Sequence, residues 1–312
     1  MPHTPVLLDE IVSAVTTDVS GRYVDATYGG GGHSRALLGG LRPEARLLAM
    51  DRDEEAVAQA RSLAKVDSRV AVECASFSHI NEVTRRRGFQ PITGVMMDIG
   101  ISGYQLEDPD RGFSYMRDGP LDMRMDRKQG VTAAQWLNSA EEEDLAEVFR
   151  RYGEDHHAAR IARAVVRRRP LARTLDLVSA IREGATGERV VRERVMGRQL
   201  HRQTLARVFQ AVRMHVNDEV DQLDEGLNAA FECLDLGGRL GVISFHSIEH
   251  RMVRRRFRAW VQGDPVLRRV SIPGEPGGGA RHILRNGRPS GAEVAANPRA
   301  KSAMLQVVEK CA

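Results

Sequence analysis

Short apolar runs alternate with amphipathic stretches through the first hundred positions, the pattern of βαβ units around a parallel sheet. Residues 22–26 (RYVDA), 46–50 (RLLAM), 69–74 and 93–98 read as four parallel strands. Between them lie a glycine-rich turn with a helix from His33 to about Leu41, and a helix with Ala56, Val57, Ala60 and Leu63 on one face. After Leu106 a polar stretch rich in Asp, Arg, Met and Gly runs to about Gly130, and helical periodicity takes over. Ser139 with Glu142 reads as a capping box ahead of Leu145, Val148, Phe149 and Tyr152. Ala158, Ile161, Ala162, Val165 and Val166 predict a second helix, stopped at Arg167-Arg168-Arg169-Pro170, and Thr174 is expected to cap a third. From about Leu205 one long helix is expected through Leu234, ending at Gly237-Gly238. The sheet then resumes at 238–244, and the next helix buries Val253, Phe257, Trp260 and Val261 while turning Arg251, Arg254, Arg255 and Arg258 outward. Residues 273–291 read as a Gly- and Pro-rich loop, and 303–309 as a last strand at the sheet edge. The expected fold class is α/β, a doubly wound sheet formed by 1–106 and 206–312, with an all-helical domain inserted at 107–205.

Composition narrows the function classes. The 312 residues are 42% hydrophobic and 28% charged, with a mean hydropathy of -0.37, which supports a buried core and excludes fibrous and disordered chains. No run approaches the roughly 18 apolar residues of a membrane span. The first twenty residues carry Asp9, Glu10 and Asp18 with no basic segment before the short apolar patch at 6–8, against a secretory signal. Cys74, Cys233 and Cys311 are scattered without metal-ligand spacing, so no metal site is expected and a reducing cytoplasm fits.

The net charge of +4 conceals a segregation. Residues 150–213 hold 16 Arg and no Lys against six acids, a local +10, and 251–269 hold seven Arg against Asp264 alone. Clustered guanidiniums of this kind suit a polyanion, through bidentate phosphate contacts and counterion release. A coding preference for arginine explains Arg over Lys but not the clustering, which points to nucleic acid. Arg167, Arg168 and Arg169, following an apolar helix face, are expected to face water and to hold phosphates.

The candidate chemistry lies in the turn after the first strand, Asp25-Ala-Thr27-Tyr28-Gly29-Gly30-Gly31-Gly32-His33-Ser34. Glycines at a strand-to-helix junction let backbone N–H groups approach a ligand, and four in a row are also what a flexible turn would show. Asp51, ending the second strand 22 residues past Gly29, is placed to accept both hydroxyls of a nucleoside ribose. Together they point to an adenine nucleoside without deciding the cofactor. A dinucleotide site asks for Gly or Ala where Ser34 stands, which disfavours NAD. The acid-initiated turn is similar to the D-x-G-x-G-x-G turn of S-adenosylmethionine-dependent methyltransferases, with Thr27 for the first Gly. Asp98, at the carboxyl end of a central strand, sits where such enzymes place the residue nearest the transferred methyl.

Longer segments are more specific. HTPVLLDE (3–10), DATYGGGGHS (25–34), AMDRD (49–53), MDIGISGYQLEDPDRGFSYMRDGPLDMRMD (97–126), VFQAVRMHVNDEV (208–220), VISFHSIEHR (242–251) and NPRAKSAMLQV (297–307) closely resemble the bacterial small-subunit ribosomal RNA cytosine-N4 methyltransferase family, over essentially the whole chain and in order. The resemblance implies a class I methyltransferase domain with an inserted helical substrate-recognition domain. It implies S-adenosylmethionine as cofactor and the N4 amine of a cytidine near the decoding centre, within an assembled small subunit, as target. By the same carry-over Gly31, Gly32 and His33 contact the methionine side of the cofactor, Asp51 holds the ribose, and Phe77 packs beside the adenine. Asp98 and Gln105 complete the pocket, with Asp98 also catalytic. Phe77 is equally readable as core, and His33 as a helix-start residue. His246 is a candidate second contact or part of the crevice wall. The chain departs from the family pattern at Tyr28, Gly103, Arg207-Val208-Phe209 and His250. Gly103 and His250 motivate the alternative of an RNA-binding paralogue with altered or no activity. A nicotinamide or flavin oxidoreductase is the other class weighed, against which Ser34 and the basic segment argue.

Overall fold

The apolar runs become strands because a parallel sheet is covered by helices and buries its strands on both faces. In the computed structural model, which describes residues 5–186, 196–263 and 278–311, they are β1 (Arg22–Asp25), β2 (Arg46–Asp51), β3 (Val70–Cys74) and β4 (Ile92–Asp98). These four pair in parallel in the order β3-β2-β1-β4. Four helices alternate with them: α1 (Leu8–Val15), α2 (Gly32–Gly40), α3 (Glu54–Ala64) and α4 (Ile80–Arg86). The same unit takes up the end of the chain, with α11 (Glu219–Cys233), β5 (Leu234–Ser244), α12 (Ser247–Gln262), β6 (Ala280–Gly287), α13 (Gly291–Ala296) and β7 (Met304–Lys310). The completed sheet runs β3-β2-β1-β4-β5-β7-β6, with β7 antiparallel to both its neighbours. Leu47, Val70 and Leu305 line one side of it and Leu48, Val95 and Val242 the other, each beneath its own helical layer.

The second unit holds the intervening helices α5 (Gly103–Glu107), α6 (Ala133–Ser139), α7 (Glu142–Arg151), α8 (Ala158–Arg167), α9 (Thr174–Thr186) and α10 (Met196–Val216). Leu137, Leu145, Phe149, Ile161, Val165, Leu177 and Val212 form its fully buried centre. The polar stretch before α6 is ordered by buried side chains. Arg111, 1% exposed, donates to the carbonyls of Arg124 and Met125 and lies over the Phe113 ring. The Asn217 amide accepts from Met125 N–H and donates to the Met123 carbonyl, both at 2.7 Å.

Several expectations are revised. The units part at 100/101 and 219/220, as Met1–Gly100 with Val220–Ala312 and Ile101–Glu219, rather than at 106/107 and 205/206. The reason is α10, whose Leu205, Val208, Phe209 and Val212 complete the helical core. The long helix expected from Leu205 is two helices, broken where Asp218 takes a left-handed φ of 49° and Asn217 turns its amide to the segment at 123–125. The loop expected at 273–291 contains strand β6, and its first part, 273–277, lies outside the described residues. β6 is therefore the edge, and the final strand is interior. The Ser139–Glu142 box does not form: Ser139 Oγ donates to the Gln135 carbonyl, α7 has Glu141 as its uncapped start, and the reciprocal box belongs to Thr132 and Gln135 on α6. Thr174 does not cap α9 either. Its hydroxyl donates to the Arg117 carbonyl and accepts from Gly119 N–H, while Asp118 Oδ1 accepts from Leu175 N–H. No helix among the described residues is long and apolar enough to cross a membrane.

Candidate active site

The carboxyl ends of β1, β2 and β4 meet at the glycine turn, where one hydrogen-bond network ties them together. Thr27 Oγ1 accepts from Asp98 N–H at 2.6 Å, and Gly29 N–H donates to Asp51 Oδ2 at 2.8 Å. Ser34 donates its hydroxyl to Asp25 Oδ2 at 2.6 Å, so the residue that argues against a dinucleotide site locks the start of α2 onto the end of β1. Gly29 and Gly31 have φ of 49° and 71°, backbone that glycine adopts freely. The reason for glycine at 31 and 32 is internal packing: a Cβ at Gly31 would overlap the Tyr28 ring, and one at Gly32 the Pro5 ring.

Three carboxyls crowd this network. Asp51 Oδ1 accepts from Asp53 N–H at 2.9 Å and Oδ2 from Gly29, which leaves each oxygen one further lone pair for a ligand. Burial raises the Asp51 pKa to about 6, with the two backbone N–H bonds opposing. Burial likewise raises Asp98 to about 6; nearby His33 opposes the shift and Asp25 adds to it. Asp25 is also raised, by its own burial. His33 Nε2 lies 3.0 Å from the Val6 carbonyl, which can only accept, so Nε2 carries a proton, and Nδ1 lies 3.9 Å from Asp98 Oδ2. Asp98 Oδ1 is buried with no hydrogen-bond partner. An unpartnered buried carboxyl oxygen at the open end of a central strand is costly unless a ligand's donor completes it.

A model of the MraW methylase family matches residues 1–311. The ribosomal RNA small subunit methyltransferase H of Ralstonia pickettii (strain 12D) is 43% identical over 321 residues, covering 99% of this chain and 97% of that protein. Its counterpart from Cupriavidus necator is 44% identical over 325 residues, covering 99% and 92%, and that of Chromohalobacter salexigens 44% over 315, covering 99% and 91%. The chain belongs to the MraW methylase family. Its α/β sheet, with the antiparallel β7 between β5 and the edge strand, is the class I methyltransferase fold.

The structure places Gly31, Gly32, His33, Asp51 and Asp98 of this methylase around one glycine turn. Phe77, on a 3-10 turn after β3, lies two residues past Ala75, whose N–H donates to the Asp51 carbonyl. Its ring covers Gly226 of α11, where a Cβ would overlap it, so this phenylalanine is partly core. Gln105 belongs to the helical unit, where its amide oxygen accepts from Ser102 N–H and closes a capping box on α5. Gly103 is the buried first residue of that helix. His250 is in the sheet unit, its Nδ1 2.6 Å from Ser244 Oγ. His246 caps α12: its side chain accepts from Glu249 N–H, and Glu249 returns the bond to the His246 N–H, so this ring is committed to holding a helix.

Sequence reading missed two participants. Thr27 orients the Asp98 backbone, and the Pro5-Val6 segment packs on Gly32 and holds His33; the signal for the latter was present in the 3–10 motif, but with no role attached. The arginine triplet is not free either. Arg167 and Arg168 share Glu183 at 2.7 and 2.6 Å, and half-buried Arg169 donates to the Leu137 and Ala140 carbonyls.

Proposed function

We propose that this methylase transfers the methyl group of S-adenosylmethionine to the N4 amine of a cytidine in small-subunit ribosomal RNA, near the decoding centre, acting on the assembled subunit in the cytoplasm. The relatives' shared activity on small-subunit rRNA and the local +10 across 150–213 support an RNA substrate. The single observation that carries the chemistry is the unpartnered, buried Asp98 Oδ1 beside the glycine turn.

The donor set fits the cofactor. Asp51 has a lone pair left on each oxygen for the two ribose hydroxyls, Gly31, Gly32 and His33 at the start of α2 would take the methionine portion, and Phe77, following β3, would lie beside the adenine. When bound, S-adenosylmethionine supplies an electrophilic methyl group, so the chain's own residues have mainly to position the amine and exclude water. The cytosine N4 is a poor nucleophile because its lone pair is delocalised into the ring. Asp98 accepts one N4–H through Oδ1, favours pyramidalisation of the nitrogen and withdraws a proton as positive charge develops there. Only a positively charged His33 ring, held through Val6, opposes the burial-driven rise of Asp98 and favours its carboxylate form.

The test is methylation of small-subunit rRNA, naked and within the assembled subunit, with labelled S-adenosylmethionine, followed by nucleoside mass spectrometry. N4-methylcytidine in one oligonucleotide is the expected product. Label on another base or another atom of cytosine would overturn the assignment, and cofactor binding without turnover would favour the RNA-binding paralogue.

A further inference from the structure

The outer face of α12 and the edge strand β6 carry a cluster of exposed arginines, three of which meet no carboxylate among the described residues. Arg251, Arg254, Arg255 and Arg258 are exposed on one face of α12 at helical spacing. This helix packs against β6, which exposes Arg281 and Arg285 and is followed by exposed Arg288. Some of these charges have partners. Asp224 takes Arg256 at 2.6 Å and Arg255 at 3.8 Å, Glu309 takes Arg281 at 2.6 Å, and Arg288 donates to the Ala303 carbonyl at 3.2 Å. Arg254, Arg258 and Arg285 meet no carboxylate among the described residues. The lone acid of α12, Glu249, is buried in the helix cap, and β6 has none.

The charges form one field. Arg285 and Arg258 both act on His282, and Arg288, Arg251 and Arg254 on His250; burial first, and then these arginines, push both imidazoles toward the neutral form. His282 Nδ1 is buried there without a hydrogen-bond partner. Like charges gathered within a Debye length repel, a cost that a bound polyanion would offset. Guanidiniums add the fork geometry that phosphate oxygens accept in pairs.

We propose that the α12–β6 face is a phosphate-binding track for the RNA substrate, with Arg254, Arg258 and Arg285 as its contacts. This rests on the rRNA reading above and places a backbone contact on the sheet unit, apart from the arginine-rich helical unit. The test is titration of in vitro-transcribed small-subunit rRNA with the full chain between about 50 and 200 mM salt, comparing wild type with Arg254→Gln/Arg258→Gln/Arg285→Gln and with the corresponding triple Lys variant. The Gln triple is expected to bind about tenfold or more weakly at low salt. Its slope of log affinity against log salt should flatten by roughly 2 to 3, at about 0.7–0.9 per lost contact. S-adenosylmethionine affinity should be unchanged, and the Lys triple should recover the slope. A Gln triple with wild-type affinity and slope, while the wild type still methylates rRNA, overturns this surface alone; failure of the wild type to methylate rRNA overturns both readings. Should the Gln triple fail to hold cofactor, single Arg285→Gln and Arg285→Glu variants decide: rRNA affinity falling in that order supports the track, and equal, wild-type affinities refute it.

Discussion

On α8 three consecutive arginines end a helix, and on α12 and β6 three more face outward, yet the two sets are in different electrostatic states. Arg167 and Arg168 are held by one carboxylate, Glu183, and Arg169 by two main-chain carbonyls of the α6 end. Arg254, Arg258 and Arg285 meet no carboxylate among the described residues. Charge density along a chain therefore measures how many cations there are and not how many remain for a partner. The carboxylates of the active site divide the same way. Asp51 already holds two backbone N–H groups, whereas Asp98 keeps an oxygen with none. What a group does for a ligand is set by what the fold has left unsatisfied.

The strongest challenge to this contrast is Asp98→Ala. If the bare oxygen serves the target amine, turnover at saturating substrate should fall by about 100-fold or more, while S-adenosylmethionine affinity changes less than about threefold. Equal losses in both, measured by single-turnover kinetics and calorimetry, would make Asp98 a cofactor contact only.

Asp51→Asn tests the half-committed carboxylate. Cofactor binding should weaken by about 1–3 kcal/mol, the range for hydrogen bonds to a charged acceptor. The pH dependence follows from its raised pKa of about 6: ribose hydroxyls favour the carboxylate, so below that pH a proton must leave before they bind. Wild-type affinity should be about tenfold weaker near pH 5 than near pH 8, and the Asn variant should show a flatter profile. On folding of the ligand-free chain the sign reverses. A carboxyl raised from 3.8 to about 6 contributes stability that is fully present below its unfolded pKa and is lost as pH rises through about 6.

Arg169→Gln removes charge-assisted bonds to a helix end and should lower stability by about 1 kcal/mol, seen as a reduced Tm. The salt slope for rRNA should stay at the wild-type value; a flattened slope would return the triplet to the RNA interface. The smallest effect is expected for Glu183→Gln, which releases Arg167 and Arg168 without altering either. Stability should change by under about 1 kcal/mol, as for exposed pairs generally, and rRNA affinity by under about twofold. A larger gain in affinity would mean that Glu183 masks a second phosphate contact on the helical unit.

Local pattern determined much of this protein from the sequence alone. The four parallel strands and the apolar faces of α7 and α8 were legible because burial on a sheet or in a helical core leaves runs or i, i+3, i+4 spacing in the residues themselves. Asp51 and Asp98 were legible as strand-terminal acids after apolar runs. Only the tertiary structure decided what depends on partners distant in the chain. Asn217 ends α10 because its amide bonds to Met123 and Met125, more than ninety positions earlier. β6 is a strand because β7 pairs with it, although its arginines and interrupted register give no clean alternation. Gly31 and Gly32 read as space for a ligand, and the structure uses that space for Tyr28 and Pro5. Which arginines stay open was settled by Glu183, Asp224 and Glu309, through ion pairs that act across space between residues 15 to 32 positions apart. A sequence records the charge of a side chain, and the fold decides whether that charge still has a partner to find.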